Sequence, residues 1–289
     1  MPYNDSATFY LGWLGDMRAI PTPEVEFNNT ETRYGGTHVA LNGAKTVDTI
    51  GVRQSYDFNF KYLTDADYQF FRALHTRLIT EPVYLINPMR KNLLSQQSSS
   101  GYMLGVRDLG MAEWGNNLSF DYVTDFPPVT GGLVGTRAPR VVSVFGAPSY
   151  MTLDPDKNVP VKAGDTLTFS IWMKADGTVP NCAIYLDYYN QYGALTSSSS
   201  STTISATTGW VRYSRTATVP AGITGARPII TFPTAGTYNL RMNAAQLEWG
   251  ATPTPWQQGG GAQKVVVESF DVESPRYPLQ NASLTLLEA

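Results

Sequence analysis

The chain has 289 residues, enough for one large or two ordinary domains. Only 16% of its residues are charged, with a net charge of −3, which excludes the basic footprint of a nucleic-acid binder or of a protein held to an anionic membrane. No apolar run is long enough to span a membrane, no signal peptide opens the chain, and the lone Cys182 excludes an internal disulfide framework and reads as a small buried hydrophobe. The expectation is a protein made in a cytoplasm and held together by burial. With 25 glycines, 19 prolines and 17 tyrosines, it should be mainly β with many turns.

Along the first 62 residues, Phe9, Leu11 and Trp13 alternate, and Val39 and Leu41 precede Asn42-Gly43, a hairpin signal, with Val47 after it. The clearest strand runs from Val52 to Tyr62. Val52, Gln54, Tyr56, Phe58, Phe60 and Tyr62 share one face, and Arg53, Ser55, Asp57, Asn59 and Lys61 the other. A helix follows, capped by Thr64, with Asp65 and Asp67 in its first turn. Ala66, Phe70, Leu74 and Leu78 line one side of it, and Glu81-Pro82 stops it. Val83 to Ile86 reads as a short strand.

Composition shifts after Arg90: between Lys91 and Ala262 the only glutamates are Glu113 and Glu248. Strands are expected at Thr166–Lys174, Cys182–Tyr189, Trp210–Val219, Ile229–Phe232 and Tyr238–Trp249, with an uncharged Ser/Thr-rich loop carrying a short strand at Thr196–Thr208. Short strands with Gly/Pro punctuation spell a sandwich. The stretch Ala244–Trp256 ends it, and Gly259-Gly260-Gly261 reads as a flexible joint. After it, Lys264–Val272 and Ala282–Leu287 form a hairpin too small to fold alone. The first 90 residues lack a closing pair. A discontinuous domain, 1–90 plus 263–289, with 91–262 inserted into it, resolves both deficits.

The segments VRQSYDFNFKYL at 52–63, TDADYQFFRALHTRL at 64–78, PVYLIN at 82–87 and PMRKNLLS at 88–95 resemble the barrel-plus-helix domain of siphophage tail proteins, the fold of the tail tube and of the distal tail or baseplate hub protein. NLLS at 92–95, GDTLTFSIWMKADG at 164–177, GWVRYSRTATVP at 209–220 and NLRMNAAQLEWGATPTPW at 239–256 resemble a galactose-binding-like jelly roll of the carbohydrate-binding-module type. The fold class implied is mainly β: a split tail-tube-like β-barrel or sandwich domain with one α-helix, carrying an inserted jelly roll. The function implied is that of a phage virion structural protein at the distal tail or baseplate. It would assemble as a ring, a hexamer by resemblance. Its partners would be the tail tube, other tail-tip proteins and host cell-wall glycan, with no nucleic acid and no membrane span. The alternative is a stand-alone carbohydrate-binding protein with no role in virion assembly.

Catalytic chemistry is not expected. His38 and His75 pair with no Ser or Cys motif, and Asp154-Pro155-Asp156 marks a turn. Asp187 and Glu248 carry no sign of facing each other as a glycosidase pair must. No cofactor is expected. Jelly rolls of the resembled type often hold a structural calcium, which makes Asp154, Asp156, Asp165 and Glu248 the candidate ligands, with turn hydrogen bonding as the plainer reading. Sugar binding needs aromatic platforms and planar polar groups. If Leu167, Phe169, Ile171 and Met173 face the core, Trp172 faces away from it. Beside it, Tyr185, Asp187, Tyr189 and Gln191 lie opposite the core set Cys182, Ile184, Leu186 and Tyr188. Trp172, Tyr185, Asp187, Tyr189 and Gln191 are therefore the candidate glycan site, on what is expected to be one surface.

Overall fold

The structure is a computed structural model that describes residues 3, 8–23, 27–34, 36–40, 42–47, 51–100, 111–114, 118–125, 127–128, 138–154, 158–177, 179–276 and 279–289. It is mainly β. In chain order the elements are β1 (Tyr10–Trp13), β2 (Asp16–Ala19), β3 (Asn28–Tyr34), β4 (Thr37–Val39), β5 (Lys45–Val47), β6 (Gly51–Leu63), α1 (Asp65–His75) and β7 (Val83–Ile86). Then come α2 (Gln96–Ser100), β8 (Met111–Trp114), β9 (Leu118–Val123), β10 (Ala138–Val144), β11 (Ser149–Leu153), β12 (Val159–Pro160), β13 (Thr166–Ala175) and β14 (Cys182–Tyr189). The last are β15 (Leu195–Ser198), β16 (Thr202–Ile204), β17 (Val211–Thr218), β18 (Gly225–Phe232), β19 (Gly236–Trp249), β20 (Ala262–Arg276) and β21 (Leu279–Glu288). They divide between two compact units, one holding Trp13–Met17 and Ile86–Gln263, the other Thr8–Gly12, Arg18–Leu85 and Lys264–Ala289. Among the described residues no helix is long and apolar enough to cross a membrane.

The helix-bearing unit is built on a sheet of order β2-β1-β7-β20-β21-β6-β3. β6 buries Tyr56, Phe58 and Phe60, and β21 lays Leu286 opposite Tyr56 and Leu284 opposite Phe58 in antiparallel register. The alternation of β6 breaks at its end. Tyr62 takes a φ of 59° and is exposed while Leu63 is buried, and the register against β21 shifts between Gln280 and Ala282. An irregularity of this kind reverses which side chain meets the core. On α1, Phe71 stacks on Phe60 at 5.2 Å between ring centroids and meets Phe270 edge-on at 5.9 Å.

α1 ends earlier than Pro82. Thr64 caps its start by accepting from the Asp67 amide. At the other end the Thr76 hydroxyl and amide both reach the Arg72 carbonyl, and Arg77 adopts a φ of 55°. The chain has turned left-handed before Leu78, which is therefore 78% exposed and not a core residue, whereas Phe70 and Leu74 are buried. The Asn42-Gly43 signal does form a hairpin, β4 against β5. Gly43 has a φ of 81°, and the Asn42 side chain accepts from the Ala44 amide.

The other unit is a sandwich of two sheets, β17-β13-β19-β10-β9 and β15-β14-β18-β11-β8, with β12 on β18 and β16 on β14. The inner face of the first sheet carries Leu167, Phe169, Ile171, Met173, Tyr238, Leu240, Met242 and Leu247, all fully buried. Ile184, Leu186, Tyr188, Ile230 and Phe232 line that of the second. Phe232 and Tyr238 join the two sheets edge to face at 5.1 Å. The Thr196–Thr208 segment holds two short strands, β15 and β16, not one.

The glycine triplet is not a flexible joint. Gly259, Gly260 and Gly261 are buried and lie against the segment 90–95. The Gly260 and Gly261 amides donate to the Leu94 and Asn92 carbonyls at 2.7 and 2.8 Å, and the Gly261 carbonyl accepts from the Asn87 amide at 2.8 Å. A Cβ on Gly259 would sit 2.3 Å from the Leu94 and Ser95 carbonyl oxygens. Asn92, fully buried, ties the same node together. Its Nδ2 donates to the Ala245 and Gln257 carbonyls, and its Oδ1 accepts from the Leu94 and Leu247 amides.

Candidate functional site

The candidate sugar-binding residues do not share one surface. β13 and β14 follow each other in sequence but belong to different sheets. Both turn their apolar sets inward, so Trp172 looks out from one side of the sandwich and Tyr185, Asp187 and Tyr189 from the other. Gln191 is on neither sheet face. It is exposed in the β14–β15 turn, where its Cβ would lie 3.1 Å from a Cβ on Gly15.

On the β14 side the register builds a compact group. Tyr185, Asp187 and Tyr189 lie opposite Ile229, Arg227 and Gly225 of β18, and Asp187 lies opposite Ser198 of β15. The tyrosines and Arg227 are half-buried, and Asp187 is only 9% exposed. The Ser198 hydroxyl donates to Asp187 Oδ1 at 2.5 Å. Burial pushes the Asp187 carboxyl up, against the Ser198 bond and the nearby positive charge of Arg227. Burial likewise raises the Tyr185 and Tyr189 phenols, which stay neutral donors and acceptors. The guanidinium carbon of Arg227 lies 4.9 Å from the centroid of the Tyr189 ring. That face of Tyr189 is occupied, which leaves Tyr185 as the aromatic surface next to Asp187.

Arg227 escaped the sequence reading because Pro228 discourages extending the strand back from Ile229. The structure accommodates the proline between two pairings. β11 pairs β18 from Ile229 onward and β12 pairs it at Ala226 and Gly225, so no ladder bond is demanded of Pro228 from that side. The alternation Arg227, Ile229, Thr231 was the available signal.

On the opposite side, Trp172 lies between Arg212 of β17 and Asn243 of β19. Next to it runs a row of charges from four strands, Lys174, Arg241, Arg140 and Asp121, successive partners in register. The row closes on itself. Asp125 accepts from Lys174 and Arg241 at 2.9 Å each, and from the Trp210 indole at 3.1 Å. Asp176 meets Arg241 at 2.8 Å and Arg140 at 3.5 Å, and Arg140 is paired with Asp121. The hydrogen bond from Arg140 holds the Asp121 carboxyl below its usual range. Asp125 is also lowered, its burial being outweighed by Lys174, Trp210 and Arg241. These charges neutralise one another.

The candidate calcium ligands are not brought together. Asp154 accepts from the Ser95 amide at 2.8 Å and from the Ser95 and Ser98 hydroxyls at 2.5 Å, which fixes α2. Asp165 closes a turn by accepting from the Lys162 amide. Glu248 accepts from the Thr254 amide and hydroxyl and from the Gln246 amide nitrogen. Asp156 lies outside the described residues, among which no cluster of three or more His, Cys, Asp or Glu is suited to a metal ion. Cys182 is buried, and its thiol is pushed up to about 12 by that burial.

No protein-family model matches this chain, and no curated protein matches it in sequence. Among solved structures it is similar to the enzymatically active domain of tailspike protein 4 of bacteriophage CBA120, at 15% identity and a TM-score of 0.40 over 56% of this chain. The match spans only 22% of the tailspike chain. It is also similar to the CBM22-1 xylan-binding domain of Xyn10C from Paenibacillus barcinonensis, at 12% identity and a TM-score of 0.39 over 57% of this chain and 97% of that one. A third similar structure is TmCBM61 in complex with β-1,4-galactotriose, at 14% identity and a TM-score of 0.36 over 56% of this chain and 99% of that one.

Proposed function

We propose that the chain is a structural protein of a long-tailed phage virion, assembled as a ring at the distal tail or baseplate, whose sandwich binds host cell-surface glycan through the outer face of β14 and β18. The observation that carries the glycan reading is the half-buried Tyr185 ring beside Asp187, which is hydrogen-bonded to Ser198 and directly opposite Arg227. An aromatic surface takes the apolar face of a sugar, and the polar groups beside it take hydroxyls. The ring reading is supported by β3, the outermost strand of its sheet, whose Tyr34 is 51% exposed. An open edge invites pairing with a neighbouring copy.

One stacked aromatic is worth about 1 kcal/mol by analogy with aromatic pairs, so a single site is weak and a ring of copies gains by avidity. The test is a glycan panel probed with the full chain. Tyr185→Ala should lower binding roughly fivefold or more, and Trp172→Ala on the other sheet should leave it unchanged. Loss with Trp172→Ala alone would transfer the site to the charged face, and no binding to any glycan would end the reading. Negative-stain images of the purified protein should show rings; uniform particles of 31.7 kDa would leave the stand-alone alternative.

A further inference from the structure

Arg227 differs from the arginines of the opposite face. Arg140 and Arg241 each hold ion pairs with aspartates. Arg227 lies against the Tyr189 ring; its buried Nε has no hydrogen-bond partner, which is equally true of Arg241, so the difference lies in the ion pairs. Among the described residues no carboxylate stands within ion-pair distance of it. Asp187, its register partner, spends Oδ1 on the Ser198 hydroxyl and acts on Arg227 only through the field. Gly225 lies opposite Tyr189 in the β14–β18 ladder, where the Asn158 and Leu14 side chains crowd the space a Cβ would fill, and Arg227 two residues on lies over the ring. A guanidinium held over an aromatic ring can still donate from its outer N–H groups, which form the fork that an oxyanion accepts. The competing charge beside it is Asp187, whose carboxyl is hydrogen-bonded to Ser198 and pushed up, towards its neutral form, by burial. The phenols of Tyr185 and Tyr189 are neutral, and the whole stretch Tyr188–Val211, which includes β15 and β16, has no charged residue.

We propose that this face selects saccharides bearing an oxyanion, a uronic-acid carboxylate or a sugar phosphate, bound to the outer N–H groups of Arg227 while an adjoining sugar ring rests on Tyr185. The proposal rests on the glycan-binding reading above and names its ligand class. Arg227 is then the specificity-determining residue, and Tyr189 a positioning residue that holds it.

The experiment titrates the full chain with matched pairs: oligogalacturonate against its methyl ester, and a phosphorylated oligosaccharide against the same oligosaccharide without its phosphate. Which anionic member binds identifies the source of the oxyanion. At least one should bind roughly tenfold or more tightly than its neutral partner, and the preference should shrink as salt is added. Arg227→Gln should abolish the preference without lowering the melting temperature, and Arg227→Lys should restore part of it, as a point charge lacking the fork. Equal binding of anionic and neutral members, or a preference that survives Arg227→Gln, overturns the proposal while leaving the glycan reading intact. Failure of every saccharide sinks both. Binding of oligoglutamate as tight as that of oligogalacturonate, and lost in Arg227→Gln, shows a site for acidic peptides and overturns the saccharide assignment.

Discussion

Gly259 has no room for a side chain. An added Cβ would press to 2.3 Å from two backbone carbonyl oxygens, atoms that cannot rotate away as a side-chain tip can. Gly259→Ala should therefore destabilise the sandwich by roughly 1–3 kcal/mol or more, read as a lowered midpoint in urea, while Gly209→Ala, where an added Cβ meets open space, should lose less than ~0.5 kcal/mol. Equal losses would mean that the segments 90–95 and 257–261 are not in contact. The same residue-level logic separates Arg227 from Arg241: both are half-buried cations, and only their neighbours make one a strut and the other a group still able to take an anion.

Among the elements, α1 offers the sharpest check. Leu74 is buried under the helix and Leu78 lies three residues past its end. Leu74→Ala should lower stability by roughly 2–5 kcal/mol, and Leu78→Ala by less than ~0.5 kcal/mol, in thermal or chemical unfolding. Comparable losses would show that the helix continues to Leu78 and buries it. Of the four-residue row Ala66, Phe70, Leu74, Leu78, only Phe70 and Leu74 are buried, with Phe71 beside them; Ala66 is exposed in the first turn and Leu78 lies past the end. Periodicity cannot report a left-handed residue such as Arg77, because the apolar pattern outlasts the helix that it suggests. β6 fails at its end for a related reason, since a period-2 pattern carries no sign of the irregularity that exposes Tyr62 and buries Leu63.

For the whole molecule, the segments leading into and out of 91–262 are hydrogen-bonded to each other, the Gly261 amide reaching the Asn92 carbonyl at 2.8 Å. If 91–262 is an insertion, a short Gly/Ser linker can replace it without stretching. The remaining chain should keep a cooperative melt and a β-type circular dichroism spectrum. Loss of the cooperative transition would mean that the remainder needs the sandwich in order to fold.

What the sequence determined by itself is local or periodic: the β class, the Thr64 cap, the Asn42-Gly43 turn, and the inward sets Leu167–Met173 and Cys182–Tyr188. Each follows from side-chain alternation or capping chemistry within about ten residues of chain. Only the tertiary structure decided which sheet each strand joins. Alternation says that Trp172 and Tyr185 both point away from a core, but in a sandwich there are two such directions, and strand order chooses between them. The pairing of β14 with β18 and not with β13 separated Trp172 from Tyr185 and placed Arg227 over Tyr189. In the other sheet, the pairing of β13 and β10 with β19 and of β10 with β9 set the charges of Asp121, Asp125, Arg140, Lys174 and Arg241 against one another, although they are scattered over the chain from 121 to 241. Long-range register is a property of the packed core, whose free energy is spread over many contacts, and no single stretch of chain encodes it.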